Sequence, residues 1–330
     1  MNITTKMIAE QMGVSRITVD RALNGRPGVS ERTRQRILNF AKEAGYRPNR
    51  LAQSLVNGVS KSLGIVVFDL DNAFFAQLVD SFQRIAFDMG YMTYVMLTNK
   101  NASMERRCVE CLLDRRVDGI LLYSVIQDED YISYLKGLDL PVLTIMNRLS
   151  DALPLISINN RRAMADMTGY VISKGYSRLV YVCPPLRRAK TSNMTSLIER
   201  REGFYDAVRR ARVAPETVML EDNEYMRIIG DMSFDHQRRT AIICTSDIYA
   251  VSIMNALQKR GYRTPMDYGL CGFDCIPMLR EFEPNITTVS MFIREMGSKS
   301  AALLVDAING VKIPEYTEMT YEIVTGQTVL

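Results

Sequence analysis

Two hydrophobic rhythms divide the chain. In residues 5–24, Ile8, Ala9, Met12, Val19, Ala22 and Leu23 fall at helical spacing, which predicts two short helices. Gly13 stands between them, where a tight turn needs a residue tolerant of positive φ. Ser15 is placed to cap the second helix, and Ala9 is small where the two would cross. Together these are the marks of a helix-turn-helix, though small three-helix bundles of other function share the spacing. A third helix is opened by Ser30, has an inner face of Ile37, Leu38, Ala41 and Ala44, and is stopped by Gly45. Asn49 can then cap a helix of about two turns, too short to hold without a partner.

From residue 63 the rhythm changes to short apolar runs alternating with amphipathic stretches. Strands are expected over 63–68, 91–97, 117–123 and 142–145, with helices over 74–89 and 104–114 between them. A second series runs helix 161–174, strand 179–183, helix 198–211, strand 240–245, helix 248–260 and strand 268–273. A late helix, 294–309, and a final strand, 321–324, are expected to return and complete each lobe. Alternation of this kind implies parallel sheets covered by helices on both faces. Two series imply two similar lobes.

Composition narrows the function. The 330 residues hold 41 Lys+Arg against 37 Asp+Glu, but the excess is local. Residues 1–60 carry 10 basic and 4 acidic side chains, a net of +6, and the remainder nets −2. A compact basic segment is the electrostatic footprint of nucleic-acid binding. The single histidine, His236, argues against most zinc sites and against a Ser–His–Asp enzyme. The Cys108-x-x-Cys111 pair stands in a helix-like stretch with no second pair, so apolar helix positions outweigh zinc. Six cysteines suit a reducing compartment rather than a disulfide framework. No apolar run approaches the ~18–20 residues of a membrane span, and the N-terminus lacks a signal peptide's apolar stretch. A cytoplasmic protein is expected.

Three segments at matching spacing carry a family resemblance: Val14-Ser15-Arg16-Ile17-Thr18-Val19-Asp20-Arg21-Ala22-Leu23-Asn24-Gly25, Val29-Ser30-Glu31-Arg32-Thr33-Arg34, and Gly45-Tyr46-Arg47-Pro48-Asn49. They resemble the lactose-repressor (LacI/GalR) family of bacterial transcription regulators. The resemblance implies that the second helix lies in the major groove, with Arg16, Ile17 and Arg21 at base-reading positions. Arginine can pair bidentately with guanine, while Ile17 offers only apolar contact, for instance to a thymine methyl. Thr5, Ser15, Thr18, Asn24 and Tyr46 suit phosphate or scaffold contacts. Asp20 departs from the serine common in relatives. It can accept from cytosine N4 or orient an arginine, but the plainer expectation is an i,i+4 ion pair with Arg16. The resemblance also implies a hinge that folds on the operator, with Asn49, Ala52 and Leu55 at the minor groove and Leu55 wedging a base step.

The rest of the chain resembles the periplasmic-binding-protein-like core of the same family, through Val117-Asp118-Gly119-Ile120-Leu121, Gly272-Phe273-Asp274 and Thr287-Thr288-Val289. The implied organisation is a helix-turn-helix domain at 1–47, a hinge helix and linker at 48–61, and an effector-binding and dimerisation core at 62–330. Within the core, an N-lobe comprises about 62–159 and 292–320, and a C-lobe about 160–291 and 321–330. Ligands in open α/β sheets sit beyond the carboxyl ends of the strands, here the cleft between lobes. The residues placed there are Asn72, Phe74, Phe75, Asn147, Arg148, Asn159, Arg200, Asp247 and Asp274. Phe74 and Phe75 are equally candidates for core, and Asp274 for a turn cap.

Aromatic faces with Arg, Asn and Asp suit a polyhydroxylated, sugar-like effector. Three positions depart from the sugar-binding pattern: Asn147 replaces Asp, Ser246 replaces Asn, and Met291 replaces Gln. A purine-like or phosphorylated effector therefore stays open. The expected protein is a homodimeric regulator of a palindromic operator, most simply an inducible repressor, with a corepressor-dependent regulator as the alternative. No cofactor and no membrane partner are expected. The lack of a heptad tail points to a dimer rather than a tetramer. A plain solute-binding protein would lack the helix-turn-helix, and an enzyme on this fold lacks recognisable catalytic motifs.

Overall fold

The computed structural model describes residues 3–46, 58–186, 192–212, 214–221, 224–235 and 237–330. The chain divides into two units, Met1–Ser60 and Lys61–Leu330.

The first unit is helical: α1 (Thr5–Met12), α2 (Arg16–Leu23) and α3 (Glu31–Glu43). Each start is fixed locally. Thr4, Ser15 and Ser30 accept from the backbone N–H of Met7, Thr18 and Thr33, at 3.3, 3.1 and 3.3 Å. These bonds satisfy amides that the helix itself leaves unpaired. Gly13 ends α1 at φ 65°, the left-handed conformation that its position called for. Ile8, Ala9, Val19, Ala22, Ile37 and Ala41 form the buried centre. Leu38 and Ala44, expected on the inner face of α3, are only half-buried.

The second unit is an α/β core with two parallel sheets. The larger contains β1 (Ser62–Val67), β2 (Met92–Leu97), β3 (Gly119–Leu122), β4 (Val142–Ile145), β5 (Leu155–Ile158) and β11 (Tyr316–Met319), in the order β11-β5-β4-β3-β1-β2. The smaller contains β6 (Arg178–Val182), β7 (Glu216–Leu220), β8 (Thr240–Cys244) and β9 (Gly269–Cys271), in the order β7-β6-β8-β9. The connecting helices are α4 (Ala73–Asp88), α5 (Ala102–Asp114), α6 (Glu129–Lys136), α7 (Asn160–Ser173), α8 (Thr195–Arg210), α9 (Tyr225–Asp231), α10 (Asp247–Lys259) and α11 (Ile293–Ile308). Strands β1, β3, β4, β5 and β8 are buried along their whole length, as covered parallel strands must be. Helices α7 and α8 meet at backbone distance. A Cβ added to Gly203 would fall 2.0 Å from the Arg161 carbonyl, so only glycine fits there.

The strands at the end of the chain depart from expectation. Helix α11 packs on α4 beside the larger sheet, and β11, which the hydrophobic pattern did not announce, pairs in parallel with β5. The final strand, β12 (Glu322–Val324), does not extend the smaller sheet. It pairs antiparallel with β10 (Thr288–Ser290) as a separate ribbon. Cys271, the last residue of β9, bridges in parallel to Thr287 just before β10, and Asp274 bridges to Ser290 within it, so β10 lies beside β9 and β12 pairs with β10 rather than with β9. Among the described residues, no helix is long and apolar enough to cross a membrane.

Candidate functional site

Helix α2 presents two faces. Val19 and Ala22 are buried, whereas Arg16, Ile17 and Arg21 are exposed. Ile17 is 65% exposed, an unfavourable position for a large apolar side chain unless something covers it. Ser15 and Thr18 share a hydroxyl hydrogen bond of 2.9 Å, so both hold the start of the helix. Asn24 donates its amide to the Asp20 carbonyl and to Asp20 Oδ1, both at 2.9 Å. Thr5 lies half-buried in the first turn of α1. Tyr46 packs against the helical core. Burial and the Asp20 carboxylate raise its phenol, and Arg16 opposes them.

Asp20 does not pair with Arg16. Its partner is Arg26, with Nη1 3.3 Å from Oδ2. Gly25, at φ 68°, turns the chain back after α2, and the Arg26 N–H reaches the Arg21 carbonyl at 2.9 Å. That turn carries the guanidinium to Asp20. Asn49, Ala52 and Leu55 lie outside the described residues.

In the α/β core a cavity of ≈ 470 Å³ opens between the larger-sheet and smaller-sheet halves. Five expected residues line it: Asn72, Phe74, Phe75, Arg200 and Asp274. Asn72 caps α4, accepting from the Phe74 N–H at 3.0 Å. Phe74 and Phe75 belong to the core and to the cavity wall at once. They join Phe68 and Tyr123 in an edge-packed aromatic cluster, with centroids 4.6 Å apart for Phe68–Tyr123 and 4.9 Å for Phe75–Tyr123.

At the cavity floor Arg200 is 5% exposed. Its Nε donates to Asn160 at 3.0 Å and its Nη1 to the Thr245 carbonyl at 2.6 Å. Among the described residues, its Nη2 reaches only the Met291 thioether, at 3.5 Å. The guanidinium stacks 3.6 Å over the Phe273 ring and lies 3.8 Å from the Asp274 carboxylate. Ser246 donates to the other Asp274 oxygen at 2.8 Å. Burial raises the Asp274 carboxyl to about 7; Arg200 opposes that rise and Asp247 adds to it. The floor is thus a desolvated Arg–Asp pair with one guanidinium nitrogen poorly satisfied, an arrangement that accepts a hydroxyl able both to donate and to accept.

Four expected residues do not line the cavity. Asn147 is buried and spent within the protein. Its Nδ2 donates to the Ser124 and Asn193 carbonyls at 3.4 and 3.1 Å, and its Oδ1 accepts from Ser196 N and Oγ at 3.2 and 2.7 Å. Arg148 turns to Asp151 at 2.9 Å. Asn159 caps α7, accepting from the Arg162 N–H at 3.0 Å. Asp247 accepts from Thr288 Oγ1 at 2.6 Å and from the Ile276 N–H at 2.9 Å, holding the loop after β9. Phe68, Lys100, Tyr123, Ser196 and Tyr249 line the cavity without having been expected. Phe68, Lys100 and Tyr123 follow β1, β2 and β3, so the rule that selected Asn72 would have reached them. Ser196 and Tyr249 lie in the first turns of α8 and α10, where only the fold brings them in.

Residues 4–49 match the family described as bacterial regulatory proteins, lacI family. Residues 60–324 match the family described as periplasmic binding proteins and sugar binding domain of LacI family. Among curated relatives, the ribose operon repressor of Halalkalibacterium halodurans is 27% identical, over 99% of this chain and 96% of its own. The HTH-type transcriptional repressor PurR of Vibrio atlanticus is 28% identical, over 99% and 98%. Among solved structures, the lac repressor dimer bound to operator and the anti-inducer ONPF aligns over 100% of both chains with a TM-score of 0.87 at 22% identity.

Proposed function

We infer, for a chain that belongs to the LacI family of bacterial regulatory proteins, that a small sugar-like effector in the core cavity controls its grip on a palindromic operator. The protein is a DNA-binding transcriptional regulator, not an enzyme. In this reading residues 1–47 bind DNA, 48–61 form the hinge and 62–330 form the effector core of a cytoplasmic homodimer. Arg16, Ile17 and Arg21 read bases; Thr5, Ser15, Thr18, Asn24 and Tyr46 position the helix on the backbone. Asn49, Ala52 and Leu55 engage the minor groove.

The observation that carries the effector assignment is the cavity itself. Aromatic faces stand on one wall and the buried Arg200–Asp274 pair on the floor. A sugar ring presents apolar C–H faces to the first and hydroxyls to the second. Asp69 and Asp71 also line the cavity, which disfavours a phosphate. The relative named ribose operon repressor agrees with this reading. The control is linkage: an effector that prefers one lobe arrangement shifts operator affinity by its differential affinity for the two states.

The test is enrichment of genomic fragments on the purified protein at physiological salt, with and without a pool of sugars and purines. A palindrome enriched only without the pool, and released by a sugar, is the expected result. Enrichment that requires a purine would replace it with the corepressor reading.

A further inference from the structure

Asp20 is the acidic residue of α2, the helix that carries Arg16, Ile17 and Arg21. A carboxylate on that face meets DNA phosphates within a Debye length of about 8 Å, where salt screens it incompletely and repulsion opposes binding. The structure shows how that charge is occupied. Asn24 holds one carboxylate oxygen at 2.9 Å, and Arg26 lies 3.3 Å from the other. Arg26 is fixed along its backbone as well. Its N–H donates to the Arg21 carbonyl, and its own carbonyl accepts from the Arg34 guanidinium, both at 2.9 Å. The Arg26 side chain nevertheless stays 53% exposed. A guanidinium offers five N–H donors in a rigid fork, enough to serve a carboxylate and a phosphate together. Arg16, one turn before Asp20, has no carboxylate partner among the described residues.

We propose that Arg26 is a DNA-phosphate contact held in position by Asp20, and that this clasp leaves Arg16 free to read a base. The inference rests on α2 being the helix that enters the groove. Asp20 is a positioning residue: it orients a cation toward the backbone rather than touching DNA. Without Arg26 its charge is uncompensated, both repelling phosphate and competing for Arg16 four residues away. A simple surface ion pair would couple these residues only weakly and would not alter the salt dependence of DNA binding.

A double-mutant cycle on the full chain decides between the two. The probes are the duplex that the unaltered protein enriches from a random library and a scrambled duplex of the same base composition. Arg26→Ala should weaken binding to both by about tenfold and reduce the slope of log affinity against log salt by about one. Arg26→Lys should keep the slope, because the charge remains. Asp20→Ala alone should weaken binding, because Arg26 loses its orientation, whereas the same substitution in Arg26→Ala should recover at least about threefold, and that change of sign is the mark of a coupled pair. Strictly additive losses, or an unchanged slope in Arg26→Ala, would overturn the proposal. If the unaltered protein enriches no duplex, the groove reading of α2 falls, and this inference falls with it.

Discussion

At the scale of single residues, the same side-chain type serves different ends according to what surrounds it. Asn72 and Asn159 both cap helices, yet only Asn72 does so at the cavity rim. Asp247 and Asp274 are both buried carboxylates, but the first holds a loop and the second faces the cavity. Burial raises both above the usual carboxylate range, Asp274 to about 7. The folded chain therefore binds these protons more tightly than the unfolded chain. Their stabilising contribution is fully present below about pH 4 and is lost as pH rises through about 6 for Asp247 and about 7 for Asp274. We expect the melting temperature of the core to fall across that range, and Asp274→Asn to flatten the fall, as thermal melting at a series of pH values will show. At the recognition face, Arg16→Ala should cost about 1–3 kcal/mol of discrimination at one base position, read by binding to single-substitution duplexes.

At the scale of elements, stability is set at the ends of helices and at the loops that grip them. Ser15→Ala should destabilise the helical unit by about 1 kcal/mol, because the Thr18 N–H loses its acceptor. Chemical denaturation followed by circular dichroism measures this. The turn at 193–196, which opens α8, is gripped from the other lobe by Asn147, by the Arg148 carbonyl and by the Val125 carbonyl. Asn147 is well matched to this task because it both donates and accepts. Asn147→Asp, which restores the aspartate of the sugar-binding pattern, would set a carboxylate against the Ser124 and Asn193 carbonyls. That substitution should lower core stability by about 1–3 kcal/mol, with denaturant midpoints as the check. An unchanged midpoint would mean that the grip on α8 is carried by the bonds to the Arg148 and Val125 carbonyls.

At the scale of the whole molecule, regulation is a coupling free energy between the cavity and the operator. Values of about 1–3 kcal/mol shift affinity by roughly 5–150-fold, enough for a repressor. Saturating effector should therefore lower operator affinity by a factor in that range and leave binding to scrambled DNA nearly unchanged. Leu55→Ala should weaken operator binding while core melting and effector affinity stay as they were, a split that titration calorimetry and DNA binding read separately. Equal loss on operator and random DNA would remove the wedge role.

Features that depend on near neighbours were legible in the chain. Caps at Ser15 and Ser30 and the turn at Gly13 follow from side chains within three residues of the amides or dihedrals that they serve. The βα alternation was readable because fully covered parallel strands are apolar throughout, as in β1, β4 and β8. Strands β7 and β11 were not readable, since these half-exposed edge strands are opened or interrupted by Glu and Thr, whereas the edge strand β2 keeps a longer apolar run. The cavity lies at the carboxyl ends of strands, and Arg200 and Asp274 line it. Tertiary structure alone decided which candidates face it. Asn147 is consumed by Asn193 and Ser196, residues more than forty positions away, and Asp247 by Thr288, which is also remote. Asp20 likewise chose Arg26 over Arg16 because a glycine turn, not helix periodicity, set the distance. Periodicity fixes which residues share a face. Only the folded chain fixes which partner reaches a polar atom first, and a buried hydrogen-bonding group that is already satisfied has little left to offer a ligand.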